Sequence, residues 1–189
     1  MKKLLFLAAI LLFGLTSCEQ SETNQGVVIN GVKWATHNVG ESGRFVRHIT
    51  MSGRYFSWEE AQSACPQGWR LPTQQELQSF VTARSAWTSR SRNESDGDGG
   101  SNTITVQGGL FGSGDNSVFL PAAGWRGGNT GSVVNYNRSG RYWSSTSSAP
   151  PNAVFLQFDS DNISVGNNAH RSAGFSVRCV KITHYPLPF

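Results

Sequence analysis

Apolar positions follow three successive patterns along this chain: an unbroken run, a short helical stretch, then alternation. The run is Leu4 to Leu15, preceded by Lys2-Lys3. It falls short of the ~20 residues a bilayer span needs and reads as a secretory leader, residues 1–17. The helical stretch is marked by two capping boxes, Ser57-Trp58-Glu59-Glu60 and Thr73-Gln74-Gln75-Glu76. In each, a hydroxyl takes the orphan N–H three residues on and the Glu reaches back. They predict helices near 58–64 and 74–85. The first stops at Cys65, because Pro66 disfavours helix in the residue before it. In the second, Leu77, Phe80 and Val81 fall on one stripe at i, i+3 and i+4. Trp69 and Leu71, between the helices, are expected to anchor both to a core, and Tyr55-Phe56 to pack under the first. Upstream, Asn30-Gly31 between Val27-Val28-Ile29 and Val32-Lys33-Trp34 predicts a tight hairpin, since both turn residues tolerate positive φ.

Beyond Trp87 the helical period disappears. Residues 88–103, with Asp96-Gly97-Asp98-Gly99-Gly100 at their centre, read as a polar loop. Short strands are expected around Ile104 and Val106, at Val118-Phe119-Leu120, at Leu120 to Arg126, and at Gly140 to Thr146. A further strand runs from Ala153 to Asp159. Alternation sends Val154, Leu156 and Phe158 to a core and leaves Phe155, Gln157 and Asp159 on an open face. Asn162 to Ser172 reads as a polar loop. The last strand, Gly174 to Ile182, sets Phe175, Val177 and Cys179 against Ser176 and Arg178. Two early helices followed by short strands make an α+β domain.

The chain has 189 residues, 38% of them hydrophobic, which suits one globular domain spanning 27–183 with a tail at 184–189. Leu15-Thr16-Ser17-Cys18 resembles a bacterial lipobox, so Cys18 is the expected lipidated N-terminus and 18–26 a polar tether. Loss of the leader removes two lysines and lowers the net charge from +4 to +2. No run of Lys or Arg interleaves with aromatics, which leaves nucleic-acid binding without support. With Cys18 acylated, Cys65 and Cys179 remain, either bridged in an oxidising compartment or two buried thiols.

Candidate chemistry is sparse. His37 and His48 lack a Cys, Asp or Glu at ligand spacing and read as surface or internally satisfied side chains. The acidic stretch within 93–102 lacks the closing Glu of an EF-hand and reads as a solvated loop, so no metal is assigned. Gly112-Ser113-Gly114 precedes a strand and lacks Lys-Ser/Thr, which excludes a phosphate cradle. Ser144 to Ser148 have no neighbouring His, and Asp159 with Asp161 makes no clear catalytic pair. No catalytic set and no cofactor are therefore assigned.

Four stretches together resemble a known family: Asn30-Gly31-Val32-Lys33-Trp34-Ala35-Thr36, Cys65-Pro66-Gln67-Gly68-Trp69-Arg70-Leu71-Pro72-Thr73, Tyr142-Trp143-Ser144-Ser145-Thr146 and Gly174-Phe175-Ser176-Val177-Arg178-Cys179-Val180. They resemble the Fibrobacter succinogenes major paralogous domain of secreted and lipid-anchored bacterial proteins, over about 27 to 182. The resemblance implies a C-type-lectin-like fold, two short helices flanking a twisted, mostly antiparallel sheet, and a Cys65–Cys179 bridge. Residues 124–178 also resemble lipid-anchored C-type-lectin-like proteins diversified by retroelements, whose ligand face lies between the Tyr-Trp-Ser-Ser and Phe-Ser-Val-Arg-Cys frames. The carboxylates of calcium-dependent sugar-binding lectins are missing from the matching strand. The resemblance to formylglycine-generating enzymes fails for want of a free reactive thiol.

The expected function is a non-catalytic, calcium-independent ligand-binding module on the bacterial outer membrane, held by lipid alone and facing a protein or glycan partner. Its expected contact residues are Trp125, Arg126, Tyr136, Arg141, Tyr142, Phe155, Gln157, Asp159, Asn167, Asn168 and His170. Aromatic and Arg side chains supply contact area and bidentate bonds; amides supply adaptable ones. Trp143 is expected in the core. A structural envelope or fibre-tip component, and an enzyme, are the competing readings.

Overall fold

Both capping boxes form, and each starts a helix. Ser57 accepts from the Glu60 N–H and Thr73 from the Glu76 N–H, while each Glu bonds back to its cap. The computed structural model describes residues 26–182, apart from 84, 96, 99, 129 and 130. The leader, Cys18 with its tether up to residue 25, and the 184–189 tail lie outside the described residues. The chain runs β1 (Val27–Ile29), β2 (Val32–Trp34), α1 (Trp58–Ala61), β3 (Trp69–Arg70), α2 (Gln74–Val81), β4 (Ser85–Ser95), β5 (Ser101–Ser113) and β6 (Asn116–Pro121). It continues with β7 (Trp125–Arg126), β8 (Val133–Val134), β9 (Gly140–Ser147), β10 (Asn152–Phe158), β11 (Ile163–His170) and β12 (Val180–Lys181). The architecture is α+β, dominated by antiparallel sheet.

The ladders join as β1-β2-β12-β3, β11-β10-β9, β4-β5-β6 and β7-β8. Asn30 and Gly31 turn β1 into β2 with φ of 47° and 82°, the tight hairpin expected of that dipeptide. β12 pairs with both β2 and β3, so the C-terminal strand closes onto the N-terminal hairpin. Cys65 and Cys179 are bridged across a sequence separation of 114.

The β9–β11 sheet divides the interior. On one side Leu77 and Phe80 of α2 pack with Tyr142, Leu156 and Phe158; on the other Ala61 of α1 packs with Trp143, Phe155 and Phe175. The two helices therefore flank this sheet. β9 bulges between Trp143 and Ser147, where its register with β10 slips. The freed backbone is used for docking: the Ser145 N–H donates to the Pro72 carbonyl, and the Gln74 N–H to Thr146 Oγ1. One irregularity thus satisfies donors at the start of α2 and fixes the helix on the sheet.

Several expectations are corrected. The stretch read as a loop at 88–103 is a long hairpin, β4 and β5, in register from Ser85↔Phe111 to Ser95↔Ser101. Polar cross-strand pairs hold its outer half, Ser91 Oγ with Thr105 Oγ1 at 2.9 Å and Thr103 Oγ1 with Asn93 Oδ1 at 2.9 Å. The helices are shorter than expected, ending at Ala61 and Val81. The polar loop at 162–172 is mostly strand β11, whose Gly166 (φ 101°) supplies a bulge opposite the Phe155–Leu156 step. The last strand bonds as a ladder only at β12; Gly174 to Ser176 make single bridges to Arg126, Phe56 and Tyr142.

Arg178 is the largest departure from alternation. It is 1% exposed. Its guanidinium donates to Asn38 Oδ1 (2.8 Å), the Ala35 carbonyl (3.0 Å) and the Phe119 carbonyl (3.1 Å). Burial pulls its pKa down to about 10, which leaves it charged at neutral pH. Asn38 ties this group to Tyr142 by donating to the phenol oxygen at 3.2 Å.

His37 and His48 are satisfied locally, each ring bonding a nearby threonine. Burial first, then the charges of Arg178 and His48, lower the His37 pKa to about 4. The unfolded chain takes up that proton near pH 6.5. Between those values the unfolded state binds more protons, so stability rises with pH there and is lost as pH falls through 4. Urea unfolding at pH 7, 5 and 4 is expected to show this fall, and His37→Gln to flatten it.

Candidate ligand face

Residues directly opposite in a ladder share a face, and three strands here carry one row. Arg141 of β9 stands opposite Gln157 of β10, which stands opposite Ser164 of β11. The next row is Trp143, Phe155 and Asn167. Strand spacing is about 4.8 Å, so the row Arg141–Gln157–Ser164 spans roughly 10 Å. Arg141, Gln157 and Asn167 are half-buried and Ser164 is exposed. Asn167 Nδ2 donates to Ser164 Oγ at 2.6 Å, which orients both side chains.

Arg141 is held by aromatics. Its guanidinium carbon lies 3.6 Å from the Trp125 ring centre, 5.3 Å from Phe155 and 5.6 Å from Phe175. Such stacking fixes the plane of the fork and leaves its edges for hydrogen bonds. Burial lowers the pKa of this guanidinium from its ordinary value. Among the described residues the ion pairs are Arg54–Glu60, Arg70–Glu76 and Arg92–Glu94, so Arg141 has no carboxylate partner. Also among them, two buried side-chain polar atoms lack a hydrogen-bond partner: Arg141 Nε and Ser139 Oγ, two residues apart. Buried polar groups are nearly always paired, so this pair of exceptions singles out one place on the molecule.

A family model described as the Fibrobacter succinogenes major domain matches residues 17–181. The chain belongs to this family. No curated protein matches it, and no solved structure does. The family span covers the bridged cysteines, both helices and the whole of the row.

Not every expected contact residue of this Fibrobacter succinogenes major domain lies on this face. Tyr142 is fully buried; its hydroxyl donates to the Pro121 carbonyl at 2.9 Å. Burial raises its pKa to about 12, so the phenol stays protonated. Phe155 is 4% exposed and lies under Phe175, 4.9 Å between ring centres. Both are corrected to core. The open face expected for β10 is covered at Phe155 because Gly174 to Ser176 cross beside β9 and lay Phe175 over it. Trp143 is buried, with its indole N–H on the Phe56 carbonyl at 2.8 Å.

The remaining expected residues do not gather. Asn168 pairs with Val154 whereas Asn167 pairs with Phe155, so the two asparagines lie on opposite faces. His170 is exposed, its Nδ1 bonded to Ser172 Oγ at 2.8 Å. The Asp159 carboxylate accepts the N–H groups of Asp161 (2.9 Å) and Asn162 (2.8 Å) and closes the β10–β11 turn. Arg126 alternates away from Trp125 and lies over Tyr55 at 5.3 Å. Tyr136 borders a separate cleft of about 370 Å³ with Met51, Arg54 and Arg92. The charges of those two arginines are already answered by Glu60 and Glu94. The structure therefore brings together Trp125, Arg141, Gln157 and Asn167, and adds Ser164. Ser164 escaped the sequence reading because the bulge at Gly166 resets the parity that would have placed it.

Proposed function

We propose that this protein is a non-catalytic ligand-binding module on the bacterial cell surface, anchored in the outer membrane by lipid on Cys18, with a C-type-lectin-like arrangement of its strands. The lipobox-like Leu15-Thr16-Ser17-Cys18 and the short apolar run before it support the anchor. No helix among the described residues is long and apolar enough to cross a membrane. The helices on either side of the β9–β11 sheet and the closure of β12 onto the N-terminal hairpin support the lectin-like arrangement.

The observation that carries the binding reading is the row Arg141–Gln157–Ser164. It is polar and accessible, yet rests on a fully packed sheet. Its groups bind rather than react: a guanidinium, an amide and a hydroxyl, with the Asn167 amide in the next row, hold no general base. A rigid floor under adaptable side chains keeps the ordering cost of association low.

The test is the lipoprotein in detergent, screened on glycan and peptide arrays. Binding is expected to weaken at least tenfold in Trp125→Ala and Gln157→Ala. Tyr142→Phe is expected to leave affinity intact while costing about 1–3 kcal/mol of stability, because the Pro121 carbonyl loses its donor. Full binding by both surface variants would overturn the reading. Metabolic labelling with a palmitate analogue tests the anchor, whose label is expected to vanish in Cys18→Ala.

A further inference from the structure

Two arginines of this chain are packed among the same aromatic strands, and their hydrogen-bond accounts are opposite. Arg178 has an acceptor on each of its three nitrogens, two of them backbone carbonyls. That is a structural arginine. Arg141 has none among the described residues, and its Nε is shut off from water. A guanidinium carries five donors, and leaving them idle in a partly desolvated position costs free energy. The stack on Trp125 holds the fork in one plane while nothing on the chain fills it.

We propose that Arg141 seats a carboxylate and that the ligand of this face is an acidic sugar, its carboxylate on the guanidinium and its ring hydroxyls on Gln157 and Ser164. The inference rests on the reading of this face as the binding face and names the class of ligand. Three observations carry it. The fork is planar and pre-oriented, and with Nε enclosed its two terminal nitrogens are the pair left to offer parallel N–H bonds to a carboxylate. Its charge stands alone: Arg126 points the other way over Tyr55, and Arg171 lies over Trp58 at 4.2 Å. One positive charge balances a carboxylate, whereas a phosphate monoester brings close to two negative charges. The rest of the row is amide and hydroxyl, groups that both donate and accept, as vicinal sugar hydroxyls do. An acidic peptide would need pockets for alternate side chains, whereas Gln157, Ser164 and the neighbouring Asn167 offer amide and hydroxyl groups.

The experiment is calorimetry on the full lipoprotein in detergent with galacturonate, glucuronate and N-acetylneuraminate oligosaccharides, each against its methyl ester. At least one acid is expected to bind ten- to a hundredfold tighter than its ester. Arg141→Gln is expected to erase that difference, and Arg141→Lys to restore only part of it, because an ammonium is a point charge without the fork. The acid–ester comparison uses the unaltered protein, so it decides the matter even where a variant unfolds. Equal binding of acid and ester, no binding of any acidic sugar, or displacement by acidic peptides alone would overturn the proposal. In those cases the binding face itself survives if Gln157→Ala still weakens whatever ligand the arrays identify, and falls with the proposal if it does not.

Discussion

Removing the Cys65–Cys179 bridge is expected to lower the free energy of unfolding by roughly 4–5 kcal/mol, the loop-closure term for a loop of this length. The bridge spans a sequence separation of 114, so the reduced chain gains conformational freedom over most of the domain. Cys179 is fully buried and leads directly into β12, the strand that joins β2 to β3. Its loss therefore loosens the seam between the two ends of the described chain as well as the unfolded ensemble. The measurement is urea unfolding of wild type and Cys65→Ala/Cys179→Ala, compared by extrapolated free energy. A loss below 1 kcal/mol would show that the backbone bonds of the seam, among them the Ala35 N–H to the Cys179 carbonyl (2.9 Å) and the Ile182 N–H to the Gly68 carbonyl (3.1 Å), hold the ends together without the covalent link, contrary to the chain-entropy account.

Arg178→Met is expected to cost about 3 kcal/mol. Two effects oppose each other. The buried charge is itself unfavourable: burial pulls its pKa down to about 10, so removing it returns part of that desolvation cost. Against this, Asn38 Oδ1 and the carbonyls of Ala35 and Phe119 lose their donors in a dry interior. Each orphaned acceptor costs about 1–3 kcal/mol, so the losses near 6 outweigh the gain. Methionine is chosen to fill most of the volume, so that a cavity adds little. Arg178→Lys should also destabilise, since one ammonium reaches fewer of three acceptors set around a fork. Unchanged urea midpoints for both variants would contradict this account.

Much of the frame was legible in the chain because short-range chemistry determines it. Two capping boxes placed both helix starts, and Asn30-Gly31 placed the first hairpin. The helix ends were not legible, since the C-caps Gln62 and Thr82 carry no terminating signal of their own. The β4–β5 hairpin was missed because its outer half exposes both faces. Strands of that kind are built from serine, threonine and asparagine pairs, which in one dimension resemble a loop. Phe155 and Arg178 were misassigned for a single reason: alternation names two faces but cannot say that both are covered. At Phe155 the second cover is Phe175, and at Arg178 it is the ring of carbonyls from elements distant in sequence. Among the site residues, Trp125, Arg141, Gln157 and Asn167 do come together. Asn168 and His170 fell away because register across a bulge is a three-dimensional fact.

Among the described residues β11 is bonded along one edge, to β10. Ser164 and Asn167 bond each other side chain to side chain, while the β10–β11 ladder runs through their backbone alone. The row's chemistry can thus be rewritten at little cost to folding, whereas the Trp125–Arg141 stack beside it is wedged between buried rings and resists change. On the proposed reading of this face, a lineage carrying this domain could change its ligand by editing a few amides and hydroxyls while the cationic pivot stays in place.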